Sequence, residues 1–266
     1  MGLPRIATLV PRVAVLAMLG VAAVGWLLAG ALRPAAAQQQ EDGSEGVAGG
    51  ESLGGDVFLL PPRELLQKLA AAKLLLSENR FDEAAAALAS VLESPRDYFF
   101  QPDRQHAPEL HRSLKGEAQR WIGLMPARGR ELYELRFGPQ ARQQLDLAIA
   151  RGDAAKLAEV SRQFFHTAAG HEATFLLGVD HLDHGRPLAA ALMLDRLRQS
   201  AGAERFEPSL SLYLAAAWLR AGVEDRAAEV LSALRLGRPQ GWVEVGGRSV
   251  SLPNDSRELT AWLEQM

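Results

Sequence analysis

The chain has 266 residues, of which 48% are apolar and 23% charged, enough for one sizeable globular core or two small ones. It contains no cysteine, which excludes disulfides, thiolate nucleophiles and cysteine-based zinc or iron–sulfur sites. Without residues 1–37, 26 of the 29 basic side chains remain against all 32 acids, a net charge of −6. This charge disfavours nucleic acid and anionic membrane surfaces as partners.

Residues 1–37 have the residue order of a targeting segment. Arg5 and Arg12 precede an uncharged run of 20 residues (13–32), and the small residues 35–37 fit the pattern read by signal peptidase. The run is also long enough to span a bilayer, so a cleaved signal peptide and an uncleaved inner-membrane anchor both stay open. Because the positive charges come first, both interpretations predict that the rest of the chain is extracytoplasmic, in the periplasm or secreted.

Residues 38–56 separate this segment from the remainder. They hold six glycines and five acids and almost nothing apolar, which predicts a flexible, self-repelling linker. The glycines do not form a nucleotide-binding loop, since no strand precedes them and the acidic neighbours repel phosphate.

From Pro61 onward the sequence is rich in Ala and Leu and predicts helices. Paired helical segments meet at Asn79, Gly152, Gly185 and Gly222. The last three of these positions are 33 and 37 residues apart, a period typical of helical-hairpin solenoids.

We therefore predict an all-α fold with a small C-terminal β-hairpin. Residues 57–240 form a short solenoid of helical hairpins, and residues 241–266 form the β-hairpin and a terminal helix. The hairpin prediction rests on two short alternating runs around Gly246 and Gly247, which suit a tight turn. Residues 96–130 are less regular and predict two helices broken near Pro126, with their basic side chains on a solvated face.

The repeated units resemble the tetratricopeptide family. That family places a small residue and an aromatic in the first helix, a glycine at the turn and an alanine five residues later. In chain order the matching residues are Ala71-Ala72, Leu75, Asn79 and Ala84; Leu177-Gly178, His181, Gly185 and Ala190; and Leu214-Ala215, Trp218, Gly222 and Ala227. The unit at Gly152 departs from the pattern because Leu157 stands where alanine is expected.

The tetratricopeptide resemblance implies two sets of residues with distinct roles. The first helices line a groove, which makes Lys73, Asp180 and Arg220 candidate groove-lining residues. The helix crossings depend on small or inward-facing residues, namely Ala84, Gly185, Ala190, Trp218, Gly222 and Ala227. Stacked hairpins of this kind bind other proteins without any reactive group.

A second, broader resemblance covers residues 57–266. Segments such as "DYFFQPDRQHAPELHRSLKGEAQRWIGLMPARGRELYELRFG" and "VEVGGRSVSL" are similar to the helical front region of large secreted bacterial proteins. In those proteins the region precedes a β-propeller of the pyrroloquinoline-quinone type, as in scaffold subunits of outer-membrane assembly machinery. The strand repeats of the propeller are absent from this chain, so no quinone or metal site carries over.

The segment Asp180 to Gly185, "DHLDHG", is the most chemically suggestive one. His181 and His184 are spaced i, i+3 and could share a helix face, as zinc ligands do. The repeat pattern instead places His181 inside a hairpin and His184 at a helix end, where an imidazolium favours the dipole. We predict the structural role and no metal site.

Ser161 or Thr167 could in principle form a nucleophilic triad with His166 and Asp180. No Gly-x-Ser-x-Gly elbow occurs, and no strand–turn–helix context exposes a nucleophile. We predict no catalytic residues and no cofactor.

The predicted function is an extracytoplasmic scaffold that binds a protein partner in the cell envelope. Residues 13–32 offer a membrane tether if the segment is not cleaved. The alternative is the helical lead-in of a split or truncated quinoprotein-like β-propeller protein, either an envelope enzyme or an outer-membrane assembly factor. Propeller-coding sequence just downstream in the DNA would favour that alternative.

Overall fold

The computed structural model describes residues 60–102, 111–237, 241–245, 248–252 and 258, and these are mostly helical. They all belong to one unit, Gly54–Met266. The predicted targeting segment, the linker and, apart from Glu258, the terminal helix lie outside the described residues. Within the described part of the chain, no helix is long and apolar enough to cross a membrane.

Nine α-helices account for most of the described residues. In chain order they are α1 (Arg63–Ser77), α2 (Phe81–Leu92), α3 (Leu114–Leu124), α4 (Ala127–Arg151), α5 (Ala154–Gln163), α6 (Ala168–Asp183), α7 (Pro187–Arg198), α8 (Ser209–Arg220) and α9 (Glu224–Leu236). A short 3-10 helix, Ala203–Phe206, lies between α7 and α8. The prediction of a mostly helical fold is confirmed.

Four pairs of helices are joined by the same turn. Its central residue has a left-handed φ each time: 60° at Asn79, 61° at Gly152, 69° at Gly185 and 77° at Gly222. The N–H of that residue donates to the carbonyl three residues before it, and the next N–H donates to the carbonyl five residues before itself. This pair of bonds is the Schellman motif, which favours glycine and, after it, asparagine.

The helices on either side of each turn pack together as hairpins. The pairs are α1 with α2, α4 with α5, α6 with α7 and α8 with α9. Successive hairpins also touch, through α2 and α4, α5 and α6, and α7 and α8, and the first helices α4, α6 and α8 contact one another in turn. Helix α3 lies outside this alternation and packs on α2 and α4.

Buried apolar side chains form three main clusters that follow the hairpins along the chain. The first joins α1 to α4 around Leu88 and Tyr133. The second joins α4, α5 and α6 around Leu145 and Phe164. The third joins α6 to α9 around Leu214. Each hairpin therefore buries its apolar face against its neighbours, as single hairpins cannot do alone.

Helix α4 is longer than the sequence predicts. The break near Pro126 is confirmed, because α3 ends at Leu124 and α4 begins at Ala127. The helix then continues for 25 residues and includes Pro139, whose missing N–H removes one bond of the ladder. Its burial against α2, α5 and α6 offsets that loss.

Two small antiparallel sheets complete the described structure. Strands β3 (Trp242–Val245) and β4 (Arg248–Ser251) form the predicted hairpin, with Val243 opposite Val250. Leu252 follows β4 and is buried with Leu212 of α8 and Leu234 of α9, which fixes this hairpin to the last helices.

The other sheet was not predicted. Strands β1 (Phe99–Phe100) and β2 (Arg112–Ser113) pair where the sequence predicts the start of a helix. Ser113 ends β2 and caps α3, because its Oγ accepts from the N–H of Gly116 at 2.8 Å. Helix formation therefore begins after this cap.

Candidate functional site

The three candidate groove residues lie in separate surroundings. Lys73 of α1 is exposed beside an apolar cavity of about 240 Å³, lined by Leu76, Phe81, Trp121, Leu124, Met125 and Pro126. Asp180 of α6 is held within its own hairpin turn, and Arg220 is exposed at the end of α8. No hydrogen bond or ion pair among the described residues joins the three.

The residues predicted at the helix crossings are closely packed or lie in the turns. Ala84, Ala190 and Ala227 are completely buried, and Trp218 is buried in the third cluster. Gly178 of α6 faces α7 so closely that an added Cβ would lie 2.6 Å from the Cδ2 of Leu194. Gly185 and Gly222 have open space at the Cβ position, so their left-handed backbone is what requires glycine.

The two imidazoles of "DHLDHG" differ in their contacts. The Nδ1 of His184 lies 2.8 Å from the carbonyl oxygen and 3.2 Å from the Oδ1 of Asp180, at the end of α6. Arg186 donates to Asp180 from the far side of the turn at 3.2 Å. His181 is half-buried, and its Nδ1 is buried without a hydrogen-bond partner. Among the described residues no group of three metal-ligating side chains comes together.

The hydroxyls considered for a triad are used elsewhere. The Oγ of Ser161 lies 2.7 Å from the Oγ1 of Thr174, in the contact between α5 and α6. Thr167 caps α6: its Oγ1 accepts from the N–H of Gly170 at 3.0 Å and donates to the carbonyl of Phe164 at 2.8 Å. Among the described residues, neither hydroxyl forms a hydrogen bond with His166.

A cavity lined by many charged and polar side chains lies between α3, α4, the start of α6 and the end of α7. It has a volume of about 530 Å³. Its wall contains three arginines, two histidines and two carboxylates: Arg130, Arg196, Arg205, His166, His171, Glu131 and Glu134. We refer to it as the three-arginine cleft.

Each guanidinium in the cleft is anchored by a neutral acceptor. Arg130 donates to the carbonyl of Met125 at 2.6 Å, and Arg205 donates to the carbonyl of Ala168. Arg196 donates to the Oε1 of Gln119 at 2.5 Å and stacks over Phe165, with its Cζ 3.8 Å from the ring centroid. No carboxylate of the described residues lies within ion-pair distance of these three side chains.

Helix α3 fixes the position of Arg196. Gln119 is buried, and its Nε2 donates to the carbonyl of Arg162 at the end of α5 while its Oε1 accepts from Arg196. One amide therefore connects α3 to two different hairpins. The arginine is placed by a rigid helix and an aromatic face, not by a flexible loop.

Two glycines let the imidazoles pack tightly against the backbone. A Cβ added to Gly123 would lie 2.7 Å from the Cε1 of His166, and one added to Gly202 would lie 2.4 Å from the Nδ1 of His171. The Nε2 of His171 is buried and has no hydrogen-bond partner in the structure.

The histidines of the cleft are held neutral. Burial lowers the pKa of His166 to about 4, helped by the charges of Arg196 and Arg130 and opposed by a hydrogen bond to the backbone of Gln119. Burial likewise lowers the pKa of His171 to about 4, helped by the charge of Arg205. Both imidazoles are therefore uncharged near neutral pH.

One of the two carboxylates of the cleft already accepts a hydrogen bond from the backbone. The Oε2 of Glu134 accepts from the N–H of Ala168 at 2.8 Å, at the positive end of the α6 dipole. Glu131 is exposed on the same wall. The cleft thus combines three arginine side chains with two acids, one of which already caps a helix.

Sequence reasoning did not find this cleft. Its charged residues come from α4, from the connection between α5 and α6, from α7 and from the 3-10 helix, with no recurring spacing. The one local signal was the pair Phe164-Phe165 before His166, which was interpreted as core. Both phenylalanines are buried, and Phe165 also supplies the ring under Arg196.

Comparison with known proteins adds no assignment. No protein-family model matches the sequence, and no curated protein or solved structure is significantly similar to it. The tetratricopeptide and propeller-linked resemblances therefore stay predictions.

Proposed function

We propose that this chain is an extracytoplasmic helical-repeat scaffold that binds a protein partner in the cell envelope. The observation that carries the proposal is the fourfold recurrence of one Schellman turn between packed helical hairpins. Hairpins that recur with one turn geometry and touch in chain order favour a solenoid, whose stacked first helices produce a continuous binding surface.

The surface around Lys73 supports a role in protein binding. Leu74 and Leu124 are 60% and 69% exposed, and Leu124 lines the apolar cavity beside Lys73. An apolar cavity with exposed leucines and one cation at its rim suits an apolar anchor side chain of a partner protein. Lys73 belongs to α1, the first helix of its hairpin, as the groove prediction requires.

The location in the envelope rests on residues 1–37. A cleaved signal peptide and an uncleaved anchor both deliver the helical region to the same side of the membrane. Protease treatment of spheroplasts tests this part, because an extracytoplasmic chain is digested without lysis. Protection of the intact chain until lysis would contradict it.

Binding is tested by affinity capture of the tagged full-length protein from the native envelope. Leu124→Asp places a charge beside the cavity near Lys73, so we expect it to reduce recovery of the partner. Leu236→Asp is the matched control, since Leu236 is 86% exposed at the end of α9 and lies outside that cavity. Equal recovery with both variants would argue against this surface, and no specific partner with the wild type would argue against the scaffold.

A further inference from the structure

The three-arginine cleft holds hydrogen-bond donors that the described residues do not satisfy. A guanidinium carries five N–H groups, and each of Arg130, Arg196 and Arg205 gives one hydrogen bond to an acceptor in the described chain. Those bonds, with the stacking on Phe165, fix the guanidinium of Arg196 in place. The remaining N–H groups of the three side chains have no acceptor among the described residues and can therefore bind an anion.

The charges of Arg196 and Arg205 are partly desolvated in the cleft. Arg196 and Arg205 are exposed as whole residues, yet partial desolvation in the cleft lowers the pKa of each, and for Arg205 the charges of Glu172 and Glu134 oppose that shift. Elsewhere in the described chain, arginines often form ion pairs with acidic side chains: Arg120 pairs with Glu117 at 2.5 Å, and Arg142 with Glu172 at 2.7 Å. Arg130, Arg196 and Arg205 form no such ion pair among the described residues, although Glu131 and Glu134 lie on the same wall, and positioned charges without a direct ion-pair partner are characteristic of ligand sites.

We propose that the three-arginine cleft binds a carboxylate group, supplied by a small dicarboxylate or by an acidic residue of a peptide. The planar guanidinium fork matches the two oxygens of a carboxylate. Glu131 and Glu134 line the same wall, so they disfavour the two charges that a phosphate concentrates on one group more than the single charge of each carboxylate group. The buried Nε2 of His171 is a further polar group beside the site.

The test titrates the protein purified from its native envelope with sodium glutarate, with acetyl-Gly-Glu-Gly-amide and with sodium phosphate, all at one ionic strength set by sodium chloride. Calorimetry measures affinity, and the imidazole resonances of His166 and His171 report the place of binding. For such small probes we expect a dissociation constant of about 1 mM. The tighter of the two carboxylate probes identifies the source of the group.

Two arginine substitutions inside the cleft are compared with one control substitution outside it. Arg196→Gln and Arg205→Gln each remove a guanidinium from the cleft and should weaken carboxylate binding about tenfold. Arg226→Gln removes an exposed arginine that pairs with Glu229 at 3.6 Å, outside the cleft, and should leave binding unchanged.

The outcomes are distinct. Carboxylate binding that shifts the resonances of His166 and His171 and is about tenfold weaker in both cleft variants supports the site. If a cleft variant fails to fold, the resonance shifts in the wild type and the other variant still decide. Absence of binding, binding that all variants retain, or tighter binding of phosphate would overturn the proposal. None of these results depends on a protein partner, so the scaffold proposal is tested separately.

Discussion

At the scale of single residues, a few buried polar atoms have no hydrogen-bond partner among the described residues. Two of them are imidazole nitrogens, Nε2 of His171 and Nδ1 of His181. A buried polar atom without a hydrogen bond typically costs about 1–3 kcal/mol of stability. His171 lines the three-arginine cleft, whereas His181 lies in a hairpin.

The neutral histidines predict a loss of stability in acid. Their folded pKa of about 4 lies below the ordinary value of 6.5, so the unfolded chain takes up protons first as the pH falls. The contribution of the neutral histidines to the free energy of unfolding is therefore fully present above about pH 6.5. It is lost between about pH 6.5 and 4, by up to roughly 3 kcal/mol for the well-buried His171. Urea unfolding at a series of pH values measures the slope. We expect His171→Gln to flatten it, and an unchanged slope would refute the assignment.

For His181 we expect that a volume-conserving substitution does not reduce stability. Leucine fills a similar volume and removes the unpaired Nδ1, so His181→Leu should be at least as stable as the wild type. His181→Ala leaves a cavity and should cost about 1–3 kcal/mol. Thermal melting with zinc and with a chelator provides the second arm. We expect no response to either, whereas a zinc-dependent rise that His181→Leu abolishes would establish a metal site.

At the scale of elements, the four Schellman turns are the common device. Each one reverses the chain between two helices with a left-handed residue and two backbone hydrogen bonds. Glycine fills three of the positions and Asn79 the fourth. Asparagine adopts this conformation more readily than other residues with a side chain, which explains how the first hairpin keeps the geometry.

Gly222→Ala tests the turn against a matched control. Gly222 has a φ of 77° and open space around it, so alanine there costs about 1–2 kcal/mol of backbone strain and nothing in packing. Gly237 follows α9 with an ordinary φ of −76°, so Gly237→Ala should change stability little. Chemical denaturation compares the two free energies of unfolding. Equal effects would show that the left-handed turn is not what demands glycine.

The elements that the sequence predicted are those with local signals. Prolines, glycines and Asn79 marked the helix ends, and alternating valines marked the β-hairpin. Pro139 removes one hydrogen bond from α4, and burial on three other helices, which no local signal encodes, keeps the segment helical. The three-arginine cleft was not predicted. It joins residues such as Gln119 and Arg196, which are 77 positions apart, and no short-range pattern encodes that contact.

At the scale of the whole molecule, the helical hairpins of the described residues bury their apolar side chains against one another. Each cluster of buried side chains includes residues from more than one hairpin, so the units are not independent domains. The described residues include two separate cavities, an apolar one beside Lys73 and the three-arginine cleft. We propose the first for a protein partner and the second for a carboxylate.

The scaffold proposal is tested most directly by site-specific photo-crosslinking in the native envelope. A photoreactive amino acid replaces Lys73 or Arg220, on first helices of two hairpins, or Glu229, which is exposed on the second helix α9. We expect positions 73 and 220 to crosslink to the same protein and position 229 not to crosslink to it. Absence of adducts at 73 and 220, or equal adducts at all three positions, would contradict it.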